Sequence, residues 1–264
     1  MDMDRLGAIK KDCLKTVLGL HKMAGSGHIG SSLSCLDILV YLFFERMSPE
    51  DKFILSKGHG ASALYTVLAK SGRMPEECLA TYYQDGTVLA AHPPCKSSLK
   101  EIVFGTGSLG HGLSLAAGMA LSSRYTGRKR AVFCVLSDGD CNEGSTWEAV
   151  MFAAHRKLDN LTVIVDQNLI QGFGRTEDVL DLEPMPDKWR AFNFKVAVAE
   201  DGNDFGSLDS AFRELRADGT ARPGCIIAKT KKGSGVSFME DRMEWHYLPM
   251  SEEQYINAVK EAEG

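Results

Sequence analysis

Long apolar runs are missing from this chain of 264 residues. Its most apolar stretch, Ile38 to Phe44, falls well short of the roughly 20 residues that a bilayer-spanning helix needs. The opening segment MDMDRLGAIKKDC has no apolar signal core, so a cytoplasmic protein is expected. Basic runs are also missing and the net charge is −5, which excludes the electrostatic footprint of a nucleic-acid binder. The seven cysteines are odd in number, scattered and without a CxxC pair. That excludes a disulfide frame and a zinc knuckle and leaves reduced thiols, several of them buried. Neither HxH nor HxxxH occurs, which argues against a zinc site made of histidines.

What is present is ordinary for one large folded domain: 44% hydrophobic and 25% charged residues, with no internal repeat. Unbroken apolar segments at 131–136 (AVFCVL), 161–168 (LTVIVDQN), 194–199 (FKVAVA) and 224–229 (GCIIAK) predict buried parallel strands, and KFILS at 52–56 a shorter one. Helical spacing of Leu6, Ile9, Cys13, Val17 and Leu20 predicts an amphipathic helix over 4–23. A mostly buried helix is expected over 33–46, another from KGHGAS to about 71, and one opened by Pro75 to about 84. Further helices are expected over 109–125, 145–157, 208–217 and 252–262. Strands alternating with helices predict an α/β fold, a doubly wound, mostly parallel sheet flanked by helices, with 1–264 as a single domain. The long loop 168–190 is of the kind that carries function.

Gly105, Gly107 and Gly110 spell GxGxxG, a dinucleotide-binding spacing. Such a fold also needs an acid about 20 residues on for the ribose. The position 20 beyond Gly110 is Arg130, and the next acid, Asp138, lies 28 beyond. The glycines therefore serve something else. Asp138 and Asn168 follow successive buried strands, so both fall at the carboxyl edge of a parallel sheet, where ligands bind. A carboxylate, an amide oxygen and a backbone carbonyl suit Mg²⁺, while the Gly139 turn and the helix after Glu143 suit a phosphate. Taken singly, Asp138 and Asn168 also read as cap and turn residues.

SDGDCNEG followed by Asn168 resembles the thiamine diphosphate motif, GDG with Asn about 30 residues on. SGHIGSSLS, ILSKGHGASALY, AAHPP, TGSLGHGLSLAAGMA and KGSGVSFMEDRMEWH resemble, in order, segments of the transketolases from about residue 20 to 250. The resemblance covers the diphosphate-binding domain only. It implies the N-terminal component of a split, two-chain transketolase that transfers a two-carbon ketol unit from a ketose donor to an aldehyde acceptor. The pyrimidine-binding and C-terminal domains are expected on a partner chain, in an α2β2 heterotetramer.

By that resemblance Asp138 and Asn168 match side-chain ligands of Mg²⁺ or Ca²⁺, and Ile170 matches a backbone carbonyl ligand. His59 and His246 match histidines that reach the cofactor diphosphate, and Gly139 a glycine beside it. Gly107 and Leu109 match positions touching the aminopyrimidine. His28 and His92 match histidines of the substrate channel. Glu143 matches a buried glutamate coupling two active sites across a dimer. His21 and His155 sit in helix patterns and are expected to be structural. Ser137, Ile29, Ser108 and His111 depart from the family pattern, as does the WHYLPM segment; the changes around His28, His111 and Tyr247 are expected on the substrate side. The glutamate that activates the cofactor and the arginines for a sugar phosphate belong to the absent half. Two other readings stay open: a component of another thiamine diphosphate enzyme, 1-deoxyxylulose-phosphate-synthase-like or 2-oxoacid decarboxylating, and a non-catalytic scaffold subunit.

Overall fold

The computed structural model describes residues 2–95 and 97–263. Helix α1 (Met3–Ala24) starts where the Asp2 side chain accepts from the Arg5 amide at 3.0 Å, and it stops at Gly25, whose φ of 56° suits glycine. Strands β1 (Lys52–Leu55), β2 (Val132–Ser137) and β3 (Leu161–Gln167) enter one sheet. The hairpin strands β4 (Ile170–Gln171) and β5 (Gly174–Arg175) stand apart, and β6 (Lys195–Ala199) and β7 (Gly224–Lys229) complete the sheet. Its order is β1-β2-β3-β7-β6, and every pairing is parallel. All five expected strands are found.

Alternation along the strands divides the core in two. Phe133, Val135, Ile164 and Ile226 face one layer with α1, α3 (Leu36–Tyr41), α4 (Ala61–Lys70) and α9 (Phe205–Ala217). Cys134, Leu136, Val163 and Ile227 face the other with α5 (Gly112–Tyr125), α6 (Gly144–His155) and α8 (Met185–Ala191). Burial on both faces is why these strands read as continuous apolar runs. The remaining helices are α2 (Ile29–Ser34), α7 (Thr176–Val179) and α10 (Glu252–Glu263). No helix among the described residues is long and apolar enough to cross a membrane.

Several boundaries differ from expectation. The run at 33–46 is not one helix but α2, α3 and a π turn over Leu42–Arg46, broken at Cys35. It is buried nearly all round, so packing rather than a polar face sets its course. The segment after Pro75 is a 3₁₀ turn, Glu76–Thr81. Helix α5 begins at Gly112 rather than 109, because Gly110 holds a φ of +80° outside it. The loop 168–190 carries the small hairpin, α7 and α8. Five cysteines are buried, Cys78 is half-buried and Cys95 exposed.

One buried clasp joins the elements beneath the carboxyl edge. Asp166, at the end of β3, accepts from Lys57 Nζ after β1, from Ser34 Oγ of α2 at 2.7 Å and from Thr230 Oγ1 after β7. Lys57 also donates to the Ser31 carbonyl at 3.0 Å. Burial pulls the Lys57 ammonium down, but Asp166 beside it more than offsets this, and the net direction is up. Breaking such a pair strands the surviving charge. Lys57→Met is therefore expected to cost about 3–5 kcal/mol of unfolding free energy, read from urea denaturation.

His21, in the last turn of α1, is buried between Ser62 Oγ at 2.8 Å and Ser26 Oγ at 3.1 Å. Burial, the main cause, lowers its pKa from 6.5 to about 4. Below pH 6.5 the unfolded chain takes the proton first. This contribution is thus present at neutral pH and is lost as pH falls toward 4, by up to roughly 3 kcal/mol. The acid loss in urea midpoint between about pH 7 and pH 4.5, compared between the natural chain and His21→Gln, measures it, and an equal loss in both would contradict the burial of a neutral ring.

Candidate functional site

At the carboxyl ends of β2 and β3 lies a cleft of about 260 Å³. His28, His59, His92, Gly107, Leu109, Asp138, Gly139, Asn168, Ile170 and His246 all line it, joined by Ser31, Ser137, Lys232, Tyr247 and residues 171–173 of the hairpin. Every residue assigned to cofactor, metal or substrate channel is brought together there. Glu143 is the exception. It caps α6 outside the cleft with its side chain exposed, so on this chain alone it is not a buried glutamate. His111 is also exposed and does not line the cleft, against the expectation that it faces substrate.

Four separate loops deliver the histidines. His28 precedes α2, His59 sits in the tight turn Gly58–Gly60 after β1, His92 on the loop before α5, and His246 in the turn Met243–His246. His28 is the hub: its ring centroid is 4.8 Å from His246 and 5.8 Å from both His59 and His92. Its φ of 68° is strained for a side-chain-bearing residue, and its amide donates to the His246 carbonyl at 3.0 Å. Gly27 permits this junction, since a Cβ there would lie 2.7 Å from the Tyr247 carbonyl oxygen.

The electrostatics of the cleft favour neutral rings. Burial, then Lys232, lowers His246 to about 3. Burial, then Lys57, holds His59 well below 6.5; burial and His92 lower His28, and burial lowers His92. At neutral pH each imidazole can therefore donate from one nitrogen and accept at the other. Lys232 Nζ donates to the Ile170 carbonyl at 3.0 Å and to His246 Nδ1 at 3.1 Å; burial, then Lys57, brings it to about 8.

Asp138 Oδ2 accepts the amides of Asn168 and Leu169 at 3.1 and 3.0 Å, so strands β2 and β3 do converge their ends. Its Oδ1 is buried with no hydrogen-bond partner. Burial, then Asp166, raises this carboxyl to about 7. Asn168 Oδ1 accepts from the Ile170 amide at 3.1 Å, the turn role that it can combine with ligation. An orphaned carboxylate oxygen beside an amide oxygen and a backbone carbonyl fits a hard divalent cation. Among the described residues no three His, Cys, Asp or Glu side chains are grouped to hold a metal ion, so a cation here would draw on amide and carbonyl oxygens. A Cβ at Gly139 would come 2.7 Å from Leu109 Cδ1, so the turn leaves its backbone bare beside the cleft.

Sequence reasoning misses Lys57, Asp166, Lys232 and the hairpin. Asp166 carries a signal, a lone acid inside an apolar strand. Lys57 and Lys232 stand inside the motifs SKGHG and KKGSG. Phe173, 87% exposed at the hairpin tip, and Tyr247, whose hydroxyl donates to the Gly172 carbonyl, form an aromatic rim.

Comparison with known proteins agrees with this geometry. Residues 14–264 match the family described as transketolase, thiamine diphosphate binding domain. The chain is 40% identical over 247 residues to one of the apulose-4-phosphate transketolase subunits, that of Actinobacillus succinogenes, covering 90% of this chain and 88% of that one. It is 40% identical over 249 residues to a 6-deoxy-6-sulfo-D-fructose transketolase subunit of a Clostridium species, covering 90% and 89%. The crystal structure of transketolase from Campylobacter jejuni superposes with a TM-score of 0.89 at 26% identity, over all of this chain but only 43% of that one. The chain thus spans about two fifths of the length of that solved transketolase. It belongs to the transketolase family, as a member of its thiamine diphosphate-binding domain.

Proposed function

We propose that the chain is the N-terminal component of a two-chain transketolase-like enzyme that moves a two-carbon ketol unit from a ketose to an aldehyde, using thiamine diphosphate and Mg²⁺ or Ca²⁺. The observation that carries this reading is the buried, unpartnered Asp138 Oδ1 in a cleft lined by four neutral histidines. Asp138, Asn168 and the Ile170 carbonyl would hold the cation. His59, His246 and the Gly139 backbone would meet the diphosphate, with Gly107 and Leu109 against the aminopyrimidine. Lys232, already donating to His246, adds positive charge on that side. When bound, thiamine diphosphate supplies the nucleophile and the electron sink. His28 and His92 would bond the hydroxyls and the carbonyl of the sugar. Burial keeps both rings neutral near pH 7, so each has one nitrogen open to accept a hydrogen bond from a sugar hydroxyl and one to donate to an oxygen.

The whole of 1–264 is read as one diphosphate-binding domain, with the pyrimidine-binding and C-terminal domains on a partner. Relatives named as subunits, together with the 43% share of a solved transketolase, support a partner. The assembly is read as two copies of each chain closed by two-fold symmetry, with the exposed Glu143 becoming buried across the interface, and its place as the cytoplasm.

Two outcomes test this. Asp138→Ala is expected to abolish metal-dependent binding of thiamine diphosphate in calorimetry; unchanged affinity would refute the metal site. The purified chain alone is expected to bind the cofactor weakly and to turn over no ketose donor until its partner is added. Full transketolase activity from the single chain would sink the two-chain reading.

A further inference from the structure

Asp140 is fully buried, yet it does not line the histidine cleft and no motif role falls to it. Its carboxylate is nevertheless the most heavily bonded in this region. Oδ1 accepts from Ser56 Oγ at 2.6 Å and from the Gly110 amide at 2.9 Å. Oδ2 accepts from both the amide and the hydroxyl of Ser137 at 2.9 Å. Three segments meet on one side chain: the end of β1, the loop carrying Gly107 and Leu109, and the turn after β2. Gly110 is also held from the other side, where Ser145 Oγ donates to the Gly110 carbonyl at 2.9 Å. Gly110 fits there only as glycine, because a Cβ would lie 2.5 Å from Glu143 Cβ and its φ is +80°. Ser137, the departure from the first glycine of GDG, now has a reason: its hydroxyl is one of the donors to Asp140.

We propose that Asp140 is a positioning residue that fixes the Gly107–Leu109 loop at a set distance from the Gly139 turn, so that one rigid frame spans both halves of a bound thiamine diphosphate. This rests on the cofactor reading above. The chemistry demands a carboxylate. Each oxygen receives a backbone N–H, from Gly110 on one side and Ser137 on the other, and neither amide can invert. An asparagine offers only one acceptor oxygen, so either orientation turns an NH₂ toward an amide and leaves a buried donor unmet. The metal-facing side of the diphosphate turn is held separately, because the two amides on Asp138 Oδ2 belong to Asn168 and Leu169.

Calorimetry of the full chain with saturating Mg²⁺ separates the two halves of the cofactor, using thiamine diphosphate and inorganic pyrophosphate as probes. Asp140→Asn is expected to weaken thiamine diphosphate about tenfold or more while pyrophosphate stays within about twofold. Ser145→Ala, which removes only the second tether, is expected to show the same selectivity with a smaller loss, and it carries the test if Asp140→Asn does not fold. Equal loss of both probes would show that the side chain merely holds the turn together and would overturn the proposal, as would unchanged binding of both. A wild-type chain that binds pyrophosphate and not thiamine diphosphate would overturn the cofactor reading itself, and is told apart because it precedes any substitution.

Discussion

The ion pair between Lys57 and Asp166 is the constraint on which the rest hangs. A parallel sheet delivers its strand ends to one edge but does not hold the loops that leave them. Here a fully buried carboxylate collects the exits of β1 and β7 and the body of α2 around the end of β3. Such a pair adds little net stability against an apolar substitute of the same shape, yet it tolerates no partial loss. That asymmetry ties the loops to one arrangement. The His59 turn directly follows Lys57, Asn168 lies two residues beyond Asp166, and His28 stands just before α2. The histidine cluster is therefore set by the clasp beneath it.

Charge is disposed unevenly above that clasp. Asp166 has a buried cation and two hydroxyl donors, and Asp140 has four donors. Asp138 has its two amides on one oxygen and nothing on the other. Buried polar atoms are rarely left so. Burial and the Asp166 charge both push the Asp138 carboxyl toward its neutral form, and a cation of the kind proposed, at Oδ1, would reverse this. Burial holds the histidines neutral, and the buried lysines that balance the acids add to this at His59 and His246. One arrangement of charge thus prepares an anion-receiving floor and a hydrogen-bonding wall.

The sheet is legible in the sequence because double burial leaves strands with no polar face to confuse with a helix. Part of the site is legible because strand ends of a parallel sheet share an edge, which puts Asp138 and Asn168 together on spacing alone; the four histidines are placed there only by the family resemblance, since each lies on a different loop. What escapes depends on contacts distant in the chain. Nothing local marks Lys57 as buried, since its partner is Asp166, 109 residues away. The break at Cys35 follows packing on all sides. Residues 170–175 are too short to show an alternating pattern, so the hairpin is invisible without its antiparallel register. Glu143 shows the opposite failure: the motif is plain, but its expected burial cannot come from this chain.

The mouth of the cleft bears on the substrate. Gly172 and Gly27 both press on the segment 246–247, where a Cβ at either would come within 2.7 Å of Tyr247. Tyr247 is thereby pinned from two sides, and its ring stacks edge-on against His246 at 4.8 Å. Together with Phe173 it gives the opening apolar surface and one hydroxyl already committed to Gly172. Among the described residues lining the cleft the only cationic side chain is Lys232, buried and engaged with Ile170 and His246. A phosphate or other anion at the far end of a sugar finds no counter-charge at this mouth. In the proposed two-chain reading, this chain would orient the reacting carbonyl end, and recognition of a distal charge would fall to the partner.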